Sequence, residues 1–137
     1  MLREFLILVF SFLFIFAHEL KPNEGLPHIR VLMFVSEENH HRTETAFTMA
    51  KSLLSAGNEV VIVLEGPAVK LAQKSYQRKS IYRQGLVDVL REGGMVYACP
   101  YWGRKLGIKE LLEGIQWAKP AVVFPRLSDE STKVMVW

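Results

Sequence analysis

The stretch that decides the fold reads Ile29-Arg30-Val31-Leu32-Met33-Phe34-Val35. It is apolar at every position except Arg30, and a short continuous apolar run is typical of a strand buried on both faces of a parallel sheet. A polar cluster, 36–41, ends the run and predicts a loop at the carboxyl end of this strand. We therefore place the start of the folded unit near Ile29.

A helix and a second strand follow. Between Arg42 and Ala56 the apolar residues recur at helical spacing, with Thr43 as a suitable N-cap and Gly57 as a C-terminal stop. The next run, 58–64, is apolar and β-branched and closes on a glycine and a proline. The order strand, helix, strand predicts a right-handed parallel crossover.

The alternation of helices and strands continues along the chain. Residues 86–92 have a helical pattern, and 95–98 predicts a third strand that ends on Cys99. Three further segments are expected: a mobile basic surface at 75–84, a helical region at 104–118 that is interrupted at Gly107, and a final strand at 133–137. The pattern predicts one α/β domain with a mainly parallel sheet.

The N-terminus differs from this domain. Residues 5–17 are almost wholly apolar and end on the small residue Ala17, which is typical of a secretory signal peptide. A run of 13 residues is shorter than the ~20 that span a bilayer, and the alternative is an uncleaved segment anchored at the membrane interface. We expect three parts: a signal peptide at 1–17, a linker at 18–28 and an α/β domain at 29–137. A periplasmic or secreted protein with no stable membrane span after signal removal is thus predicted.

Composition excludes several classes of function. The chain has 137 residues, enough for one domain, and its net charge of +3 is too small to indicate nucleic acid as a partner. Neither a dinucleotide-binding nor a P-loop glycine motif is present, so we predict no cofactor. The single cysteine cannot form an internal disulfide, which leaves a buried thiol or a thiol with a function.

Cys99 is the candidate reactive residue. Ligands and reactive groups in parallel sheets gather at the carboxyl ends of the strands, where Cys99 is predicted to lie. Tyr101 and Trp102 follow and would shape a binding pocket, while Arg104 and Lys105 would favour the thiolate over the thiol. The alternative interpretation is a buried cysteine that acts only as a small apolar side chain.

Two histidines follow the first strand. His40 could face Cys99 from the loop as a base or proton shuttle, although a solvated loop is the favoured interpretation for His40 and His41. A metal centre on these three residues would need all of them within about 2.0 to 2.3 Å of one ion. Adjacent histidines have no recognised ligand spacing, so no metal site is predicted.

The segments resemble the DsrE/DsrF-like family of small sulfur-relay proteins over most of 29–137. The resemblance rests on five segments, which are the first strand, the first helix, the second strand with its continuation 65–69, the third strand with Cys99, and the closing stretch 128–137. It implies a three-layer sandwich with a flavodoxin-like or Rossmann-like sheet of roughly five strands. It also implies a homo-oligomer, a trimer or a hexamer.

The resemblance further implies a function for Cys99. Sulfur-handling members carry a cysteine after the strand that matches 95–98, which implies that Cys99 accepts and passes on sulfane sulfur as a persulfide. Its partners would be sulfur donor and acceptor proteins or small thiols, and the protein would be a sulfurtransferase-like carrier. The alternative is a non-catalytic oligomeric binding module in which the cysteine is structural.

Overall fold

A computed structural model of the chain describes residues 27–76 and 79–137, together with Arg3. The predicted signal peptide and linker therefore lie outside the described residues, except for Arg3, Pro27 and His28. In the described part, the elements in chain order are β1 (Arg30–Val35), α1 (His41–Ser55), β2 (Glu59–Leu64), a 3₁₀ helix (Gly66–Ala72), α2 (Ile81–Arg91), β3 (Met95–Ala98), α3 (Pro100–Lys105), β4 (Ile115–Trp117), α4 (Pro120–Ser128) and β5 (Thr132–Val136).

The five strands form one parallel sheet in the order β4-β3-β2-β1-β5. This confirms the predicted α/β class and the sheet of five strands. From β1 to β4 each strand is added beside the previous one in the same direction. Right-handed crossovers that all move in one direction place their helices on the same face of the sheet. The connection from β4 to β5 returns across the whole sheet, so α4 lies on the opposite face.

The first face carries the main hydrophobic core. Alternate residues of the strands, such as Val31, Met33 and Ile62, pack there against the helices. Phe47 of α1 and Leu86 of α2 are among the largest fully buried side chains. A fully buried apolar side chain contributes about 1.5 to 3 kcal/mol to the free energy of unfolding, so this face supplies most of the stability.

The second face has a thinner cover. Leu32, Val61 and Val63 form a small buried cluster there, with Val123 of α4 packed against it. No residue of α4 is itself buried, and Pro125 lies inside the helix. One helix of nine residues thus covers this face, compared with three α-helices and a 3₁₀ helix on the other.

Two expectations from the sequence are wrong. The helical region predicted at 104–118 is instead a helix that ends at Lys105, a loop and the strand β4. Gly107 causes the break, because its φ of +70° is a left-handed conformation that stops a helix.

The predicted mobile basic surface is the second error, for its described residues. The Arg83 guanidinium donates hydrogen bonds to the carbonyls of Leu71 and Gln73 and lies 5.4 Å from the centre of the Tyr76 ring. The Tyr76 hydroxyl in turn contacts the Glu38 carboxylate at 3.1 Å. These contacts tie the segment to the 3₁₀ helix and to the loop after β1.

The turn between α4 and β5 is held by Asp129. Its carboxylate accepts hydrogen bonds from the backbone and the hydroxyl of Ser131, from the hydroxyl of Thr132 and, at 3.3 Å, from Arg30. The Ser131 hydrogen bonds are the main reason that the pKa of Asp129 falls to about 2. The turn therefore favours the ionised carboxylate.

A lowered pKa makes the free energy of unfolding depend on pH. Between about pH 4 and pH 2 the unfolded chain protonates Asp129 before the folded chain does, so stability is present above this window and is lost as the pH falls through it. We expect Asp129→Asn to reduce the slope of stability against pH in this window, measured by urea unfolding. An equal slope in both proteins would show that other groups account for acid sensitivity.

Candidate functional site

The carboxyl ends of the strands form one edge of the sheet, and Cys99 lies near its middle. Its backbone N–H donates to the carbonyl of Leu64 at 2.8 Å, which continues the β2–β3 ladder by one residue. On the other side, the Ala118 N–H donates to the Ala98 carbonyl at 2.8 Å. Cys99 thus follows β3 between the ends of β2 and β4, as the sequence predicted.

Cys99 also begins a helix. It is the N-cap of α3, and its carbonyl accepts a hydrogen bond from Gly103 at 2.9 Å. Pro100 occupies the first helical position, where its fixed φ is suitable and no N–H is needed. The Cys99 side chain makes no capping hydrogen bond, and it is a free, half-buried thiol packed partly against the main core. The residue is therefore held in place and keeps partial exposure to solvent.

Two aromatic rings lie on the first turn of α3. Tyr101 is exposed, and its ring meets that of Trp102 edge to face at a centroid distance of 5.8 Å. Trp102 is half-buried and packs against the core. The Lys105 ammonium lies 4.8 Å from the centre of the Trp102 ring and 5.8 Å from that of Tyr101. The three side chains form a cationic and aromatic surface on the helix that Cys99 caps.

Arg104 and Lys105 lie in the last turn of α3 and are exposed. At a rise of about 1.5 Å per residue, their backbone lies roughly 7 to 9 Å along the helix axis from the N-cap. The Lys105 ammonium lies over the aromatic rings. The effect of both cations on the thiol stays a prediction.

His40 lies in the connection between β1 and α1. Cys99 follows β3, and β2 lies between β1 and β3 in the sheet. It is the N-cap of α1, and its Nδ1 accepts a hydrogen bond from the Arg42 N–H at 3.2 Å. The same nitrogen lies 3.8 Å from the Glu37 carboxylate, and the His40 and His41 rings are 4.0 Å apart. These contacts give His40 a structural role, and its predicted action on Cys99 stays untested.

Three residues that the sequence analysis did not single out also lie near this edge. Glu65 follows β2 directly, so it is a half-buried carboxylate on the strand end next to Cys99. On the other side, Lys119 follows β4, and Trp117 packs against Gly103 of α3. Glu65 could have been identified from the sequence, because it directly follows a predicted strand. Lys119 and Trp117 could not, because the residues of β4 were predicted to be helical.

The described residues contain no group of three histidine, cysteine or acidic side chains that could hold a metal ion. In the same part of the chain, no helix has both the length and the apolar character that a membrane span requires.

Comparison with known proteins gave a family match and similar solved structures. The family model described as the DsrE/DsrF-like family matches residues 30–124, a span that includes Cys99. Among solved structures, the YchN protein of E. coli is similar over 80% of this chain and 99% of its own, with a TM-score of 0.67 and 14% sequence identity. That likeness concerns the fold. The comparison with curated proteins gave no match.

Gly103 allows α3 to approach β4. A Cβ at this position would lie 2.3 Å from Cζ3 of Trp117, well inside van der Waals contact. We expect Gly103→Ala to lower the free energy of unfolding by about 1 to 2 kcal/mol, because overpacking outweighs the gain in helix propensity. Urea unfolding measures the change.

The matched control is the same substitution in a Trp117→Leu background, where the clash is removed. In that background we expect Gly103→Ala to be neutral or stabilising. An equal loss in both backgrounds would contradict a role for the contact between Gly103 and Trp117.

Proposed function

Because the chain belongs to the DsrE/DsrF-like family, we propose that it carries sulfane sulfur on Cys99 as a persulfide. The observation that carries the proposal is the position of a free, half-buried thiol at the carboxyl end of β3 and the start of α3. A carrier needs an accessible thiol on a rigid support and no further redox partner within the protein.

The proposed transfer has two steps that balance without an oxidant. The Cys99 thiolate attacks the outer sulfur of a donor persulfide, R–S–SH. A new S–S bond forms, the S–S bond of the donor breaks, and the donor leaves as the thiolate R–S⁻. An acceptor thiolate then attacks the outer sulfur of the Cys99 persulfide, so the acceptor becomes a persulfide and Cys99 returns to the thiolate. Both steps are exchange reactions at sulfur and need open access to one side of Cys99.

The surroundings of Cys99 are suited to this exchange. Core packing and the backbone hydrogen bond to Leu64 hold the thiol in one place. The exposed ring of Tyr101 and the ammonium of Lys105 lie on the same short helix and offer a contact surface for a donor or acceptor. Glu65 follows the neighbouring strand β2 and adds an acidic residue to the same edge of the sheet.

The rival function is a non-catalytic binding module in which Cys99 is structural. It is favoured by the contact of Cys99 with the main core. The two functions differ in whether the thiol reacts while the protein is folded.

The first test is sulfur loading of the folded full chain. We expect incubation with polysulfide to add the mass of one sulfur atom to Cys99, and subsequent cyanide to release it as thiocyanate. Because the chain has one cysteine, Cys99→Ser is a complete negative control for both mass spectrometry and thiocyanate release.

Alkylation distinguishes the rival function. Iodoacetamide should label Cys99 in the folded protein at a rate within about tenfold of the urea-unfolded chain, since the thiol is half-buried. Labelling only after unfolding, with no sulfur adduct, would overturn the carrier function and support the binding module.

We also propose that the protein is a homo-oligomer, a trimer or a hexamer. Support comes from exposed apolar side chains on β5 and α4. By register Val134 and Val136 lie beside Leu32 and Phe34 on the second face, and Val136 is 69% exposed. Phe124 of α4 is 63% exposed. Exposed apolar surface next to an edge strand is a feature of interfaces between subunits.

Light scattering after size exclusion tests the oligomer. We expect the wild-type chain to form an oligomer and Val136→Lys to dissociate it to monomers, because a charge would be buried in the interface. Ile81→Lys is the matched control, since Ile81 is 61% exposed and belongs to α2, which packs on the other face of the sheet. A monomeric wild-type protein, or equal dissociation by both variants, would contradict the proposed interface.

A further inference from the structure

A cavity lies on the second face of the sheet, far from Cys99. It has a volume of about 330 Å³ and lies between the carboxyl end of α4 and the first residues of β1 and β2. This volume is at the lower end of the range of small-molecule sites, about 300 to 1,000 Å³. Cys99 lies at the opposite end of the strands, roughly 17 to 20 Å away for strands of six residues.

One end of the cavity has an excess of negative charge. Arg30 lies 3.3 Å from the Asp129 carboxylate and 3.6 Å from that of Glu59. A single guanidinium is therefore shared by two carboxylates. The Ser131 hydrogen bonds lower the pKa of Asp129 to about 2, so this carboxylate is ionised at neutral pH.

The other end has an arginine without an acidic partner. Arg126 is half-buried and donates hydrogen bonds to the Val122 carbonyl at 2.7 Å and weakly to the Met95 sulfur at 3.9 Å. Its guanidinium lies 5.9 Å from the centre of the Tyr97 ring. No carboxylate of the described residues lies within 4.0 Å of it. A guanidinium has five N–H donors, so several remain for a ligand.

The two charged ends are separated laterally. Met95 and Tyr97, which Arg126 approaches, belong to β3, whereas Arg30 belongs to β1, and β2 lies between them. Strands are about 4.8 Å apart, so the ends are separated by roughly 5 to 10 Å. Pro125, which is exposed, contributes apolar surface to the lining.

We propose that this cavity binds a small zwitterion whose ammonium and carboxylate are separated by a short aliphatic spacer. The ammonium contacts Glu59 and Asp129, the carboxylate pairs with Arg126, and the spacer lies against Pro125. Each end of the ligand neutralises one end of the cavity, which a ligand of a single charge cannot do.

Binding of 6-aminohexanoate to the full chain, measured from amide chemical shifts at constant ionic strength, tests the proposal. We expect hexanoate and hexylammonium to bind at least tenfold more weakly, because each satisfies one end alone. Glycine is expected to bind as weakly, since its charges are too close together to reach both ends.

Variants locate the site. Arg126→Gln and Glu59→Gln should each weaken binding of 6-aminohexanoate at least tenfold, with melting temperature and circular dichroism reporting the fold. Arg91→Gln is the matched control, because Arg91 is exposed on α2 and pairs with Asp88. Equal binding of hexanoate, binding unchanged by Arg126→Gln, or no binding at millimolar concentration would each overturn the proposal.

Discussion

The handedness of the crossover connections is the constraint on which the architecture depends. Strands β1 to β4 are added in one direction across the sheet, and right-handed connections then place α1, the 3₁₀ helix, α2 and α3 on one face. That face buries the apolar sides of these four helices and alternate residues of the strands in one core. The connection from β4 to β5 brings α4 to the second face. One helix therefore covers that face, whereas four helices cover the first.

The same constraint produces the edge at which Cys99 lies. Because all five strands are parallel, their carboxyl ends meet at one edge, and the strand next to β3 on each side contributes a polar residue, Glu65 or Lys119. The thiol is held by a backbone hydrogen bond to Leu64 and by its place at the start of α3. A proline after it and a glycine under Trp117 keep that short helix close to the sheet. Cys99 is thus supported by backbone geometry, and its side chain makes no capping hydrogen bond.

The second face has a different chemistry. A single helix that contains Pro125 covers this face. It leaves apolar residues of β5 exposed at one end of the sheet and a charged cavity at the other end. Association of subunits and binding of a small dipolar molecule are both consistent with this incomplete cover, and they use different residues. The carrier site that we propose at Cys99 uses neither region.

Sequence alone was sufficient for the first half of the fold and for the place of Cys99. The apolar runs of β1, β2 and β3 and the period of α1 are local signals, and a residue directly after a buried strand lies at the carboxyl edge. By contrast, β4 has three residues, too few to show a strand period, and the apolar residues before it have helical spacing. Only tertiary structure decided the strand order, the position of Lys119 at the same edge as Cys99, and the cavity on the second face. Arg30 and Glu59 meet because β1 and β2 pair in register. Arg126 is distant along the chain and lines the same cavity because the last connection crosses the sheet, a property of topology that no local pattern encodes.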